Sequence, residues 1–193
     1  RNKSLPKAML PLSGKPIIEY VVNLMADQGV KKIYIIIGYQ GNTIKNYFNK
    51  NKKNNTTINY IKQNNWKGGL AYAIGLAEKY IKKPFFTILG DDLTITPSLK
   101  NMINNFYKNN AWAVEAIIKE KDQSILKQTC SVNIDKNKKI KSIQEKPKKP
   151  NSELRGCGLY IFDPIIFKYI RKTPRTKNGQ EITNTIGLIA KKG

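Results

Sequence analysis

Histidine is missing from the 193-residue sequence, and cysteine occurs twice, at Cys130 and Cys157. Without histidine there is no Ser–His–Asp or Cys–His relay and no imidazole ligand for zinc. Two cysteines without metal-ligand spacing build neither a metal site nor a disulfide framework. Acidic side chains are also scarce, 13 against 35 lysines and arginines, for a formal net charge of +22. No run approaches the roughly 18 apolar residues that span a bilayer. The first residues, Arg1-Asn2-Lys3-Ser4, lack the apolar stretch of a secretory signal. What remains reads as one soluble globular domain with a cytoplasmic home, in keeping with a mean hydropathy of −0.49. Because the chain opens on Arg1 rather than methionine, its natural start is expected upstream.

The positive charge is diffuse. Lysines are scattered among asparagines and isoleucines, as in Asn49-Lys50-Asn51-Lys52-Lys53-Asn54-Asn55. That pattern reads as a compositional bias rather than a patch shaped for nucleic acid. No specific nucleic-acid partner and no membrane partner are expected; assembly with further copies of the chain is left open.

Periodicity supplies the architecture. Gly14-Lys15-Pro16 reads as a turn feeding a helix over 17–28, with Gly29 as its stop. Residues 33–37 form a short, continuously apolar run rich in β-branched residues, the signature of a buried parallel strand, and 85–89 read as another buried strand. A strand over 58–61 and helices over 43–49 and 70–82 alternate with them. After Ala111 come strands over 113–118, 131–134, 140–144 and 159–162, then helices over 165–171 and 182–191, with a turn over 135–138. The expectation is an α/β, Rossmann-like fold: a mostly parallel sheet flanked by helices, with a mixed β extension.

In such sheets ligands bind at the carboxyl ends of strands. Gly90-Asp91-Asp92 follows the run over 85–89, so Asp91 projects a carboxylate over a strand end. One carboxylate suits Mg²⁺, which takes its other oxygens from phosphate and water; an Asp-rich turn would have the same sequence. Lys7 sits between Pro6 and Pro11, and a point-like ammonium there suits phosphate. Gln63 carries the donor and acceptor of a pyrimidine-reading amide, and Gly68-Gly69 shortly after allow close backbone approach or simply start a helix. Glu145-Lys146-Pro147 ends a strand, where it forms either a sugar- and phosphate-contacting pair or a surface ion pair. Gly179-Gln180-Glu181-Ile182-Thr183-Asn184 opens the last helix.

Taken in order, these segments resemble the sugar-1-phosphate nucleotidyltransferase family, nearest its glucose-1-phosphate thymidylyltransferase branch. Pro6-Lys7-Ala8-Met9-Leu10-Pro11 with Gly14-Lys15-Pro16-Ile17 is similar to a family signature, as are Tyr60-Ile61-Lys62-Gln63 with Gly69-Leu70-Ala71. Leu89-Gly90-Asp91-Asp92 resembles its metal segment; Glu145-Lys146-Pro147, Gly158-Leu159-Tyr160 and Gly179-Gln180-Glu181-Ile182-Thr183 complete the series. The resemblance implies that a sugar-1-phosphate oxygen attacks the α-phosphorus of dTTP or UTP and releases pyrophosphate. It gives Lys7 to the triphosphate, Gln63 and Gly69 to the base, Asp91 to Mg²⁺, and Glu145, Lys146 and Thr183 to the sugar phosphate. The rival class is a non-catalytic relative acting as a regulatory or assembly subunit.

Departures accompany the likeness. Gln63 to Gly69 is one residue longer than the pattern, which makes Gly68 an alternative base contact. Ser131 stands where a sugar-contacting glycine is common, Arg155-Gly156 replaces an apolar pair, and Asn184 replaces an aspartate. The resemblance sets the family's opening strand and Gly-x-Gly-Thr-Arg loop before Arg1, and its second metal-binding aspartate after Gly193. Residues 1–193 are therefore expected to be a single nucleotidyltransferase domain cut short at both ends, binding nucleotide poorly as they stand.

Overall fold

A computed structural model describes residues 5–51, 56–93, 96 and 99–192. Two compact units divide the chain, one of residues 1–66 with 88–99, the other of 67–87 with 100–193.

The first unit opens on a single 3₁₀ turn, Lys7–Met9, and a miniature hairpin of β1 (Pro11–Leu12) and β2 (Lys15–Pro16). Ser13 and Gly14, at φ +47° and +80°, make the two-residue bend whose twist suits paired antiparallel strands. Helix α1 (Ile17–Asp27) starts with Pro16 as an extended N-cap and ends before Gly29, at φ +80°. Its Ile18, Val22 and Met25 recur at helical spacing and are buried. Strand β3 (Lys32–Ile37), helix α2 (Gly41–Lys50) and β4 (Thr57–Lys62) form a parallel crossover unit, with register Lys32↔Thr57 through Ile37↔Lys62. Ile35 and Ile37 pack with Ile18, Val22, Ile44 and Phe48. Each such side chain contributes roughly 1.5–3 kcal/mol on full burial. Glu19 is buried among them and is neutralised by Lys15 at 3.5 Å and by the Tyr47 hydroxyl, which donates to it. Burial, then the hydrogen bond to Glu19, pushes the Tyr47 phenol up to about 12.

The second unit holds α3 (Leu70–Gly75), β5 (Phe85–Ile88, its last residue passing to the first unit), α4 (Lys100–Lys108) and β6 (Ala113–Lys119). It continues through α5 (Gln123–Gln128), β7 (Cys130–Ile134), β8 (Ile140–Glu145), β9 (Leu154–Phe162), α6 (Ile166–Lys172) and α7 (Ile182–Ala190). Strand order is β5–β9–β6, with β6 and β9 antiparallel and a bulge between Glu115 and Ile117. Strands β7 and β8 form a separate antiparallel pair. Asp135 closes their turn, its Oδ1 accepting from the backbone of Asn137 and Lys139. Tyr160, Phe162, Ile166, Phe167, Ile170, Ile182 and Ile186 make the core.

Four elements differ from the sequence-based expectation. The helix expected over 70–82 ends at Gly75, because Ala77, Glu78 and Tyr80 donate to carbonyls three residues back and tighten the chain into turns. Strand β9 starts at Leu154 because its antiparallel partner β6 continues to Lys119. Helices α4 and α5 escape the periodicity, since each buries one side chain, Phe106 and Leu126 respectively.

Candidate functional site

The residues singled out in the sequence fall into two sets, one in each unit. In the first unit, Lys7 is held by its backbone: Met9 donates to Pro6 (2.7 Å), Leu10 donates to Lys7 (3.0 Å), and the lysine side chain is exposed. A β-carbon on Gly90 would stand 3.9 Å from Ala8 Cβ and 3.6 Å from Ile18 Cδ1, so the segments carrying Lys7 and Asp91 run alongside each other. Asp91 is exposed in the turn after β5. Gln63 extends the parallel ladder by donating its N–H to Ile37 (2.8 Å), and its Nε2 donates to Asn65 (2.9 Å), which leaves its carbonyl oxygen to accept. Among the described residues there is no cluster of three or more Cys, Asp or Glu arranged to cage a metal. A lone exposed carboxylate fits a hard ion that keeps most of its ligands as water and phosphate; it does not fit a caged Ca²⁺ or Zn²⁺ site.

In the second unit, Gly68 and Gly69 meet Gly179 and Gln180 backbone to backbone. Gln180 donates to Gly68 (2.7 Å), and Ala71 donates to Gln180 (2.9 Å). A β-carbon on Gly69 (φ +85°) would stand 2.4 Å from the Gln180 carbonyl oxygen. One on Gly179 (φ +92°) would stand 2.5 Å from the Gly68 carbonyl carbon. The glycines are therefore demanded by a chain crossing, a requirement that the reading of Gly68-Gly69 as a ligand contact had not anticipated.

The same crossing leads into α7, where Thr183 is buried and donates to Glu145 Oε2 at 3.3 Å. Lys146 Nζ lies 3.9 Å from Glu145 Oε1. The structure thus brings Glu145, Lys146 and Thr183 together at the end of β8. Lys146 adopts φ +44°, a sparsely populated conformation for a residue with a β-carbon, and its N–H is fastened to Thr129 (2.7 Å). Burial, then the charge of Glu181, raises the Glu145 carboxyl above its usual range. A cavity of 580 Å³ opens beside it, lined by Glu145, Lys148, Lys149, Lys177, Asn178 and Asn184 among others. Ser131 is fully buried, and its hydroxyl is committed to Asn151 (3.1 Å) and Ser152 (3.2 Å).

One polar group lay hidden in the sequence. Glu115 interrupts the apolar run of β6, and although the residue is only half-buried, both carboxylate oxygens are shut off from solvent, with the facing Tyr160 hydroxyl beside them and no well-formed hydrogen bond between them. Burial pushes its carboxyl up to about 8; the facing Tyr160 hydroxyl opposes that rise and the charge of Glu145 adds to it. Burial likewise pushes the Cys130 thiol up to about 12 and raises the Tyr160 phenol, so both stay protonated at neutral pH. The acid is stronger in the unfolded chain, so the native state holds an extra proton and stability falls as pH climbs from about 4.5 to about 8. Glu115→Gln is expected to match the parent near pH 4 and exceed it at pH 8 by about 4 kcal/mol. Urea unfolding of both proteins across that range checks this.

Residues 2–193 match the family model described as Nucleotidyl transferase. The chain belongs to the nucleotidyl transferase family. Among relatives, the bifunctional protein GlmU of Methanococcus aeolicus is 32% identical over 191 residues, 98% of this chain and 43% of that protein. A UTP–glucose-1-phosphate uridylyltransferase of Mycoplasma genitalium is 30% identical over 219 residues, 97% of this chain and 74% of the relative. A crystal structure of UDP-glucose pyrophosphorylase complexed with UDP-glucose superposes with a TM-score of 0.86 at 29% identity, over 99% of this chain and 81% of that one. The chain thus spans less than half the length of the GlmU protein it matches. These likenesses agree with the Rossmann-like α/β fold expected from the sequence. No described helix is long and apolar enough to cross a membrane.

Proposed function

We propose that the protein transfers a nucleoside monophosphate from UTP or dTTP to a sugar-1-phosphate, glucose 1-phosphate foremost, releasing pyrophosphate. The observation that carries this reading is the grouping of Glu145, Lys146 and Thr183 at one strand end, where a carboxylate suits sugar hydroxyls and an ammonium suits phosphate. Lys7, exposed on a rigid turn, neutralises triphosphate charge, and Gln63 offers an amide to the base. Gly68 and Gly69 would supply a close backbone approach to the flat base. Asp91 would hold Mg²⁺, which when bound supplies charge neutralisation on the phosphates. The family membership and the uridylyltransferase likeness support UTP as the nucleotide.

The residues named here bind and orient, and none of them is arranged as a nucleophile, so one in-line displacement suffices. A chirally labelled α-phosphorus should therefore emerge inverted in the sugar nucleotide; retention would mean a covalent intermediate and contradict the reading.

The dispersed positive charge gives only non-specific affinity for nucleic acid in this account. Binding to a mixed-sequence duplex should collapse between about 50 and 200 mM salt. A sequence-selective complex that survives the higher concentration would overturn that view.

A further inference from the structure

Glu115 is not among the residues used so far, and its placement is unusual. It lies directly opposite Tyr160 in the β6–β9 register, so the two side chains share one face of the sheet. A β-carbon at Gly156 would stand 2.0 Å from Glu115 Oε1 and 3.1 Å from Cys130 Sγ. The carboxyl therefore occupies room that Gly156 alone leaves free. Cys130 in turn faces Glu145 across the β7–β8 pair, and the Gly156 N–H points at its sulfur (3.3 Å). A line of polar groups thus runs from Glu115 past Cys130 to Glu145 and Thr183, and its inner end meets the Tyr160 hydroxyl without a well-formed hydrogen bond.

We infer that Glu115 is a specificity-determining residue for the sugar, its buried carboxyl pairing with one ring hydroxyl of the sugar-1-phosphate. This rests on the proposed function, and it names a contact beyond those of Glu145, Lys146 and Thr183. A buried carboxyl that is poorly hydrogen-bonded costs stability in the free protein, and a ligand group that pairs with it recovers that cost. A hydroxyl both donates and accepts, as a protonated carboxyl does. Lys146 is the cation of the group, so the phosphate lies toward it and the Glu115 carboxyl receives the ring.

The test measures calorimetric binding of glucose 1-phosphate and its 2-, 3-, 4- and 6-deoxy analogues to the full chain, with UTP titrated in parallel. The wild-type protein should lose ~10-fold or more in affinity when one particular hydroxyl is removed, because the buried carboxyl is then left unpaired. Glu115→Ala should bind glucose 1-phosphate and that analogue equally, with its UTP affinity unchanged, while Glu115→Gln, which still donates and accepts, keeps the discrimination. Gly156→Ala, which displaces the carboxyl, should behave as Glu115→Ala does. Glu115→Leu replaces Glu115→Ala if the smaller side chain impairs folding, as judged by the thermal midpoint. Wild-type discrimination retained in the Ala or Leu variant would overturn the role of Glu115 alone. Failure of the wild-type protein to bind any sugar-1-phosphate would instead overturn the proposed function and this contact with it.

Discussion

Asp91→Asn should leave the protein folded and lower turnover by at least ~100-fold, the scale on which one preorganised electrostatic element acts. The side chain is exposed after a half-buried strand, so amidation removes a charge without opening a cavity. The chain at Gly90, just before Asp91, runs beside Ala8 and Ile18. Among the described residues no carboxylate cluster stands in for it. Steady-state rates at saturating Mg²⁺, with the thermal midpoint as a folding control, decide the matter. An unchanged rate would remove Asp91 from the account.

Gly179→Ala is expected to cost about 4 kcal/mol or more, adding left-handed strain to a collision with backbone that cannot swing aside. The added methyl would enter at 2.5 Å from Gly68 and Gly69, whose own position is fixed by the bond from Gln180. In a chain of this size that lowers the melting temperature by roughly 10 °C. Gly14→Ala is the control: its φ, +80°, is also positive, but nothing lies within 4 Å of the new carbon, so only the strain of about 1–2 kcal/mol remains. Equal melting temperatures for the two variants would show that the crossing is looser than drawn.

That crossing also shows where sequence reasoning ends. Strands β3 and β5 and the pairing of Glu145 with Lys146 were legible, because short apolar runs and polar strand ends are local signals. The contact of Thr183 with Glu145 could be expected only through family resemblance, since 38 residues separate them. Gly69 and Gly179 read as flexible punctuation, yet each is required by a neighbour more than 100 residues away in sequence. Glu115 carried one available signal, a charge inside an apolar strand run, but its isolation from solvent depends on Gly156 and Cys130. Helices α4 and α5 bury too little to leave a periodic trace.

Pyrophosphate release by the full chain in the presence of Mg²⁺, UTP and glucose 1-phosphate tests the central claim most directly. The account predicts pyrophosphate and sugar nucleotide in equal amounts, formed only when both substrates are present, with dTTP as the second nucleotide to try. A protein that binds the triphosphate and the sugar phosphate yet releases no pyrophosphate with either nucleotide would contradict it, and would make the chain a non-catalytic member of its family.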